Sequence, residues 1–135
     1  NIENIWDKIQ DIDTLREICK PKASFIACDD SPIQWKEGKT FIFKMYLHGF
    51  LPVGRHTINV VKMDKTSREI DTKEYDNTVV IWNHYIKMEE ISQQVTRYTD
   101  TVDLYAGCLT SIAAWWTLKF YKHRQRKWQK IAKSL

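Results

Sequence analysis

The middle of this 135-residue chain carries side chains that can take part in acid–base chemistry, and two of them form a candidate catalytic pair. An imidazole titrates near neutral pH, and a carboxylate beside it can orient it as a general base. If the protein is an enzyme, His84 and Asp100 are the residues that we assign to these roles. Against an enzyme, the sequence has no nucleophile motif, no Gly-rich phosphate loop and no acidic metal cluster.

The same residues would also suit a small-molecule pocket. A turn at residues 90–92 would pair His84 with Tyr98 across an antiparallel hairpin, and Trp82 would then face Asp100. This register collects polar and aromatic groups on an otherwise apolar face, which is typical of ligand pockets. A buried network that only tethers a helix to the sheet would need the same residue types. The sequence leaves both interpretations open.

Metal and cofactor chemistry are not expected. His56 and His84 share a predicted inner face, but no third ligand stands at useful spacing. The cysteines are widely spaced and lack a C-x-x-C pattern, as is typical of free thiols in a reducing compartment: Cys19, Cys28 and Cys108. No signal peptide is visible, and the apolar run at residues 104–118 is too short to cross a bilayer. These features predict a cytoplasmic protein.

The last thirty residues, 106–135, are predicted to form one long helix, because Gly107 is the only helix breaker among them. At helical spacing, one stripe is apolar and is expected to pack on a sheet: Leu109, Ile112, Ala113, Trp116 and Phe120. Arg124 prolongs this stripe, and His123 and Arg124 could enter a pocket from the helix. A second stripe is basic and defines what we call the basic flank: Lys119, Lys122, Arg126, Lys130 and Lys133.

The charge of the chain is concentrated in this helix. Its seven Lys and Arg and its lack of acids leave 14 Lys and Arg against 17 Asp and Glu elsewhere, although the net charge is +4. Trp115 lies on the same side as the basic flank, which suits an anionic membrane surface. A solvated helical face near the negative end of the helix dipole explains the charge as well. Nucleic acid is not expected as a partner, because no recognition motif or stacking platform is present.

Before this helix, the sequence predicts two short helices and then a sheet. The first helix starts the chain, and the second begins at Thr14, whose capping box is completed by Glu17. After a turn at residues 29–32, the hydrophobic period changes to two. The predicted strands cover Ala23–Ala27 and residues 40–49, 55–64, 68–75, 78–89 and 93–104. Short turns between consecutive strands require antiparallel pairing, so we predict a single α+β domain spanning residues 1–135.

Four segments carry a resemblance to a known family: Gly54-Arg55-His56-Thr57-Ile58, Trp82-Asn83-His84, Tyr98-Thr99-Asp100 and the block from Phe120 to Trp128. They resemble the START-related superfamily, also called SRPBCC, and within it a small bacterial branch similar to polyketide cyclases and lipid-transport proteins. The resemblance implies the helix-grip fold, in which a curved antiparallel sheet wraps around a long C-terminal helix. It also implies a further strand upstream of Asn1, beside residues 93–104, and a deep pocket between helix and sheet.

The function that this resemblance implies is binding of a hydrophobic or amphipathic small molecule or lipid, with transport of that molecule as an extension of binding. A cyclase- or dehydratase-like enzyme using the same pocket is one alternative. A membrane-surface or protein-interaction domain acting through the basic helix is another. The oligomeric state is left open. The ligand-binding candidates are Phe43, His56, Ile58, Trp82, His84, Tyr98, Asp100, Trp116, Phe120 and Arg124.

Overall fold

A computed structural model describes residues 1–28 and 34–135; the turn expected at residues 29–32 lies outside this range. The described chain is α+β. Its helices are α1 (Ile2–Ile9), α2 (Ile12–Cys19) and α3 (Thr110–Ser134), the last preceded by a short 3-10 turn at Gly107–Leu109. Its strands are β1 (Ala23–Ala27), β2 (Thr40–Leu47), β3 (Leu51–Asp64), β4 (Glu69–Tyr75), β5 (Ile81–Ser92) and β6 (Val95–Tyr105).

The strands form one six-stranded antiparallel sheet in the order β1-β2-β3-β4-β5-β6. Sequential order follows from the short connections, which allow each strand to pair only with its neighbour. Residues of one parity face inward, as the period of two predicts, and they form the core together with α1, α2 and α3. The layout is that of a helix-grip fold, with two short helices near the N-terminus and a long C-terminal helix, so the predicted fold class is confirmed.

The predicted start of the second helix is wrong. α2 begins two residues earlier, at Ile12, and Asp11 is its N-cap residue. Thr14 is buried and its hydroxyl donates to the carbonyl oxygen of Lys8 at 2.8 Å, so it joins α1 to α2. The hydroxyl therefore satisfies a carbonyl of the preceding helix, whereas a capping box requires it to accept from a backbone N–H.

β3 begins four residues before the predicted position, at Leu51, so it includes the apolar segment that we interpreted as a loop. The pairing of β2 with β3 shifts register between Met45 and Tyr46, opposite Gly54. Gly54 has φ +85°, a left-handed conformation that a residue with a side chain rarely adopts. A bulge at this glycine thus allows the strand to continue through the segment.

The predicted register of β5 and β6 is also wrong. His84 pairs with Val102 and Trp82 pairs with Leu104, whereas Met88 is the partner of Tyr98. The reason is the turn, because β5 continues to Ser92 and only two residues separate it from β6. A shift of four residues preserves the alternation of faces, so His84 and Asp100 still point to the same side of the sheet.

The predicted packing stripe of the long helix is wrong in its first half. Leu109 is 46% exposed and Ile112 is 67% exposed, so the start of α3 stands away from the core of the described chain. The buried face lies further along the helix and consists of Thr117, Phe120, Tyr121, Arg124, Trp128 and Ile131. Arg124, Trp128 and Ile131 thus extend the packing surface into the half that the sequence suggested would turn polar.

Within the described residues, β6 pairs only with β5, and its other edge forms no ladder. An open edge presents unpaired backbone N–H and C=O groups. In the described part of the chain, no helix combines the length and the apolar character that crossing a membrane would require.

Candidate ligand-binding site

An interior cavity of about 70 Å³ lies between the sheet and α3. Its wall is mostly apolar and comes from β1, β3, β4 and β5 on one side and from α1, α2 and α3 on the other. The inward parity of the strands supplies the sheet side, because every second residue points toward the helix. The polar groups of the wall are concentrated on β3, β4, β5 and α3.

The structure brings six of the ten predicted binding residues to this cavity: His56, Ile58, Trp82, His84, Phe120 and Arg124. Four of the predicted residues do not line it. Phe43 is fully buried against Phe25, and Trp116 is half-buried and stacks on Phe120 with ring centres 4.8 Å apart. Tyr98 and Asp100 lie on β6, one strand beyond the cavity wall.

His56 on β3 is held by two carboxylates. Its Nε2 lies 2.7 Å from Glu74 Oε1, and its Nδ1 lies 3.1 Å from Asp76 Oδ2. Asp76 follows the end of β4 and also accepts hydrogen bonds from the backbone N–H groups of Thr78 and Val79. His56 is only 2% exposed, so the three side chains form a buried cluster, which we call the His56 cluster.

The charges of this cluster stabilise one another. Burial acts to lower the pKa of His56, but the hydrogen bonds that the imidazole donates to Asp76 and Glu74 outweigh burial and raise this pKa to about 9. Burial acts in the opposite sense on the carboxylates, and the bonds to His56 more than offset it, so that the pKa values of Glu74 and Asp76 are lowered. At neutral pH the cluster is therefore a protonated imidazole between two carboxylates.

His84 on β5 continues this polar network toward β6. Its Nε2 lies 2.7 Å from Asp100 Oδ1, and its Nδ1 lies 3.9 Å from Glu74 Oε2. Gln125 of α3 donates to the second oxygen of Asp100 at 3.1 Å. Burial acts to raise the pKa of Asp100, but hydrogen bonding to His84 outweighs it and lowers this pKa. The predicted His84–Asp100 contact thus exists, although it runs diagonally across the ladder.

Aromatic rings from α3 and β5 cover the polar network. The indole N–H of Trp82 donates to the hydroxyl of Tyr121 at 3.1 Å. The Tyr121 ring packs edge-on against His84, with ring centres 4.8 Å apart, and the Trp82 ring packs in the same way against His56 at 5.1 Å. These contacts fix the imidazoles in place and exclude bulk water from them.

His123 does not enter the cavity, although the sequence suggested that it could. Its Nε2 lies 2.5 Å from the carbonyl oxygen of Lys20, at the end of α2. The interaction joins α3 to the end of α2 at the protein surface. Of the two residues considered at this position of the helix, only Arg124 lines the cavity.

A second cavity of about 190 Å³ lies between β6 and the C-terminal half of α3. Trp128 lines both cavities, and Tyr98 lines this one. Within the described residues, three buried polar atoms here have no hydrogen-bond partner: Thr96 Oγ1, Tyr98 Oη and Trp128 Nε1. No charged side chain of residues 1–28 and 34–135 lines the second cavity, whereas His56, Glu74, His84 and Arg124 line the first.

Sequence reasoning missed Glu74, Asp76 and Tyr121 as site residues. Glu74 lies on a strand that we interpreted as mostly polar, and an acid in such a strand is normally assigned to solvent. The sequence did contain a signal for Glu74. Ile70, Thr72 and Glu74 share one parity along β4, so an inward-facing Ile70 implies that Glu74 also faces inward.

In chemical terms, the site combines a mostly apolar wall with side chains that can hold a proton. Within residues 1–28 and 34–135, no three His, Cys, Asp or Glu side chains converge as metal ligands would. Comparison of the chain with protein-family models, with curated proteins and with solved structures gave no match.

Proposed function

We propose that this protein binds a small hydrophobic or amphipathic molecule in the cavity between its sheet and α3. The observation that supports the proposal is the wall of this cavity, in which a compact polar network is set into an otherwise apolar surface. Ligand pockets have this composition, because apolar walls supply affinity and a few polar groups fix orientation. We also propose membership of the START-related superfamily, on the basis of the four sequence segments and the helix-grip layout.

The size of the cavity restricts the ligand. Pockets for drug-sized molecules measure roughly 300–1,000 Å³, whereas this one measures about 70 Å³. That is space for about five water molecules. A whole lipid or polyketide would need α3 to move away from the sheet, so the ligand that this geometry favours is small.

The proposal is tested by native mass spectrometry of the protein purified from its own host under non-denaturing conditions. We expect a bound mass that is released on denaturation and can be identified after extraction. Trp82→Ala removes a wall residue that is 4% exposed, and we expect this variant to retain less of the bound compound. Phe50→Ala, at a side chain that is 77% exposed, is the matched control and should retain it fully. Wild-type protein that carries no bound compound would contradict the proposal.

An enzyme of the cyclase or dehydratase type is the second candidate function, favoured by the distance of 2.7 Å between His84 and Asp100. In that geometry Asp100 would orient the imidazole, and His84, which lines the cavity, would act as a general base through Nδ1, whose neighbour at 3.9 Å is Glu74 Oε2. The same mass spectrometry experiment distinguishes the two functions, because an enzyme converts the extracted compound on incubation and a carrier releases it unchanged.

Docking on an anionic membrane surface is a further proposal, favoured by the first half of α3. Three apolar side chains there and Leu109 of the preceding 3-10 turn are about half exposed or more: Leu109, Ile112, Trp115 and Leu118. The ammonium group of Lys119 lies 4.1 Å from the centre of the Trp115 ring, so the apolar surface continues into the basic flank. A surface of this kind could insert its apolar side chains between lipids while Lys and Arg contact the headgroups.

We expect the protein to float with vesicles that contain phosphatidylserine and to remain unbound with vesicles of phosphatidylcholine alone. Ile112→Ser with Trp115→Ser should abolish flotation, whereas Phe50→Ser, an exposed aromatic on another element, should not. Because surface charges are screened by salt, binding should weaken as NaCl is added. Binding that ignored both lipid charge and salt would contradict the electrostatic part of this proposal.

A further inference from the structure

Arg124 is a buried cation in the wall of the proposed ligand cavity. It lies in the middle of the buried face of α3, is 7% exposed and lines the cavity. Its guanidinium carbon lies 4.7 Å from the centre of the Tyr121 ring and 5.7 Å from that of Phe120. These two rings, one helical turn earlier, cover the guanidinium with π surface but offer it no acceptor in the plane of its N–H groups.

The N–H groups of Arg124 have no protein acceptor in the part of the chain that the structure describes. A guanidinium has five N–H donors and remains charged in proteins. No side-chain or backbone oxygen of residues 1–28 and 34–135 accepts a hydrogen bond from it, and its Nε is fully buried. Burial of an unpaired donor costs free energy, and burial of an unpaired charge costs more. A group that enters the cavity is therefore the natural acceptor.

The nearest carboxylates cannot take this role, because they are already engaged. Asp100 uses one oxygen for His84 and the other for Gln125. Glu74 is bound within the His56 cluster and also accepts from the hydroxyl of Thr72 at 2.6 Å. No carboxylate of the described chain lies within 4.0 Å of the guanidinium of Arg124.

We infer that Arg124 binds the carboxylate of the ligand, so that the molecule held in this cavity is a small apolar carboxylic acid. This inference rests on the proposed function. A carboxylate is planar and matches two parallel N–H groups of a guanidinium, which gives a strong charge-assisted pair. The hydrocarbon part of the ligand would lie against the apolar wall: Phe25, Ile58, Val60, Ile70 and Ile86.

A phosphate would fit this site less well than a carboxylate. A phosphate is larger than a carboxylate, and the cavity measures only about 70 Å³. A phosphate group can also carry a second negative charge. That charge would face the carboxylates of Glu74 and Asp100, whose hydrogen bonds to His56 and His84 leave them ionised. A neutral alcohol or ketone would accept hydrogen bonds from Arg124 but would leave its charge without a counter-ion.

The test compares straight-chain carboxylates, from butyrate to octanoate, with the alcohols of the same chain length. Binding is measured by titration calorimetry and by the fluorescence of Trp82 and Trp128, which line the cavity. We expect each carboxylate that fits to bind at least about tenfold more tightly than its alcohol, which is the usual effect of a hydrogen-bonded charge. This comparison uses the wild-type protein alone, so it does not depend on whether a variant folds.

Arg124→Met is the diagnostic variant, because it keeps much of the volume and removes the charge. Replacing a buried charge by an apolar side chain is often neutral or stabilising, so we expect the variant to fold. It should lose the preference for carboxylates while still binding the alcohols. Arg126→Gln, at an exposed position two residues later on the same helix, is the matched control and should keep the preference.

The outcomes separate this inference from the function on which it rests. If wild-type protein binds acids and alcohols equally, or if Arg124→Met keeps the preference, then Arg124 does not bind the ligand and the inference is overturned. The proposed binding function would survive either result. If neither acids nor alcohols bind, the inference is overturned, and the binding function is decided separately by the native mass spectrometry of protein from its own host.

Discussion

Replacing His56 with Gln is expected to lower the free energy of unfolding by about 3–5 kcal/mol, the usual cost of removing one partner of a buried ion pair. The reason is that the His56 imidazole is hydrogen-bonded to two carboxylates in the wild-type protein. Glu74 and Asp76 are both close to fully buried, and each accepts from His56 at 3.1 Å or less. Without the imidazolium they would be two neighbouring buried negative charges. Urea denaturation at pH 7, followed by tryptophan fluorescence, measures the loss.

The matched controls separate the loss of charge from the loss of packing. His123→Gln alters the partly exposed histidine that contacts Lys20, and we expect it to cost less than about 1 kcal/mol. Glu74→Gln in the His56→Gln background removes one of the two unpaired charges, so it should recover part of the lost stability. A His56→Gln variant as stable as wild type would show that the His56 cluster does not form as described.

The faces of the sheet could be predicted from the sequence, because a period of two requires only that apolar and polar residues alternate. Phe41, Phe43 and Met45 occupy every second position of β2, and all three are buried. The register of β5 with β6 could not be predicted in the same way, because it depends on which residues form the turn. The predicted turn was misplaced, yet the shift of four residues left His84 on its predicted face.

The packing of α3 was harder to predict, because a helix with several apolar faces does not reveal which one the sheet will accept. The stripe through Leu109 and Ile112 is as apolar as the face that is actually buried. The face that is buried includes two polar residues, Thr117 and Arg124, so apolar patterning does not single it out. Arg124 can be buried only in an interior that contains acids and a cavity. From amino-acid type alone, an arginine would be placed in solvent.

The same distinction applies to the site. The alternation of residues along a strand predicts which side chains point inward, whereas strand pairing determines which side chains they contact. His56, Trp82 and His84 were identified because they interrupt apolar faces. Asp76 was not identified, since it follows the end of β4, and its position depends on how the turn to β5 folds back on His56. Patterns along one strand thus reveal inward side chains, but they do not reveal which groups from neighbouring strands these side chains will meet.

The stability of the protein is expected to fall by about 3 kcal/mol between pH 6.5 and pH 9, because the pKa of His56 is about 9 when folded and near 6.5 when unfolded. Below pH 6.5 both states are protonated, and the stabilisation by Glu74 and Asp76 is fully present. Above it the unfolded chain releases the proton first, so the free energy of unfolding decreases by about 1.4 kcal/mol per pH unit. Above pH 9 the folded protein releases it too, and the stabilisation from this group is lost.

Urea denaturation at a series of pH values within this window measures the slope, and His56→Gln provides the control. Three other buried groups affect stability mainly at higher pH, since burial raises the pKa of the Cys19 thiol to about 12 from 9.0 and those of Tyr98 and Tyr121 above 10.0. Their effect on stability therefore begins only above about pH 9. The difference between wild type and His56→Gln should shrink steadily from pH 6.5 to pH 9. A constant difference across the window would show that His56 is not protonated in the folded protein, and that its two carboxylate neighbours do not hold its charge.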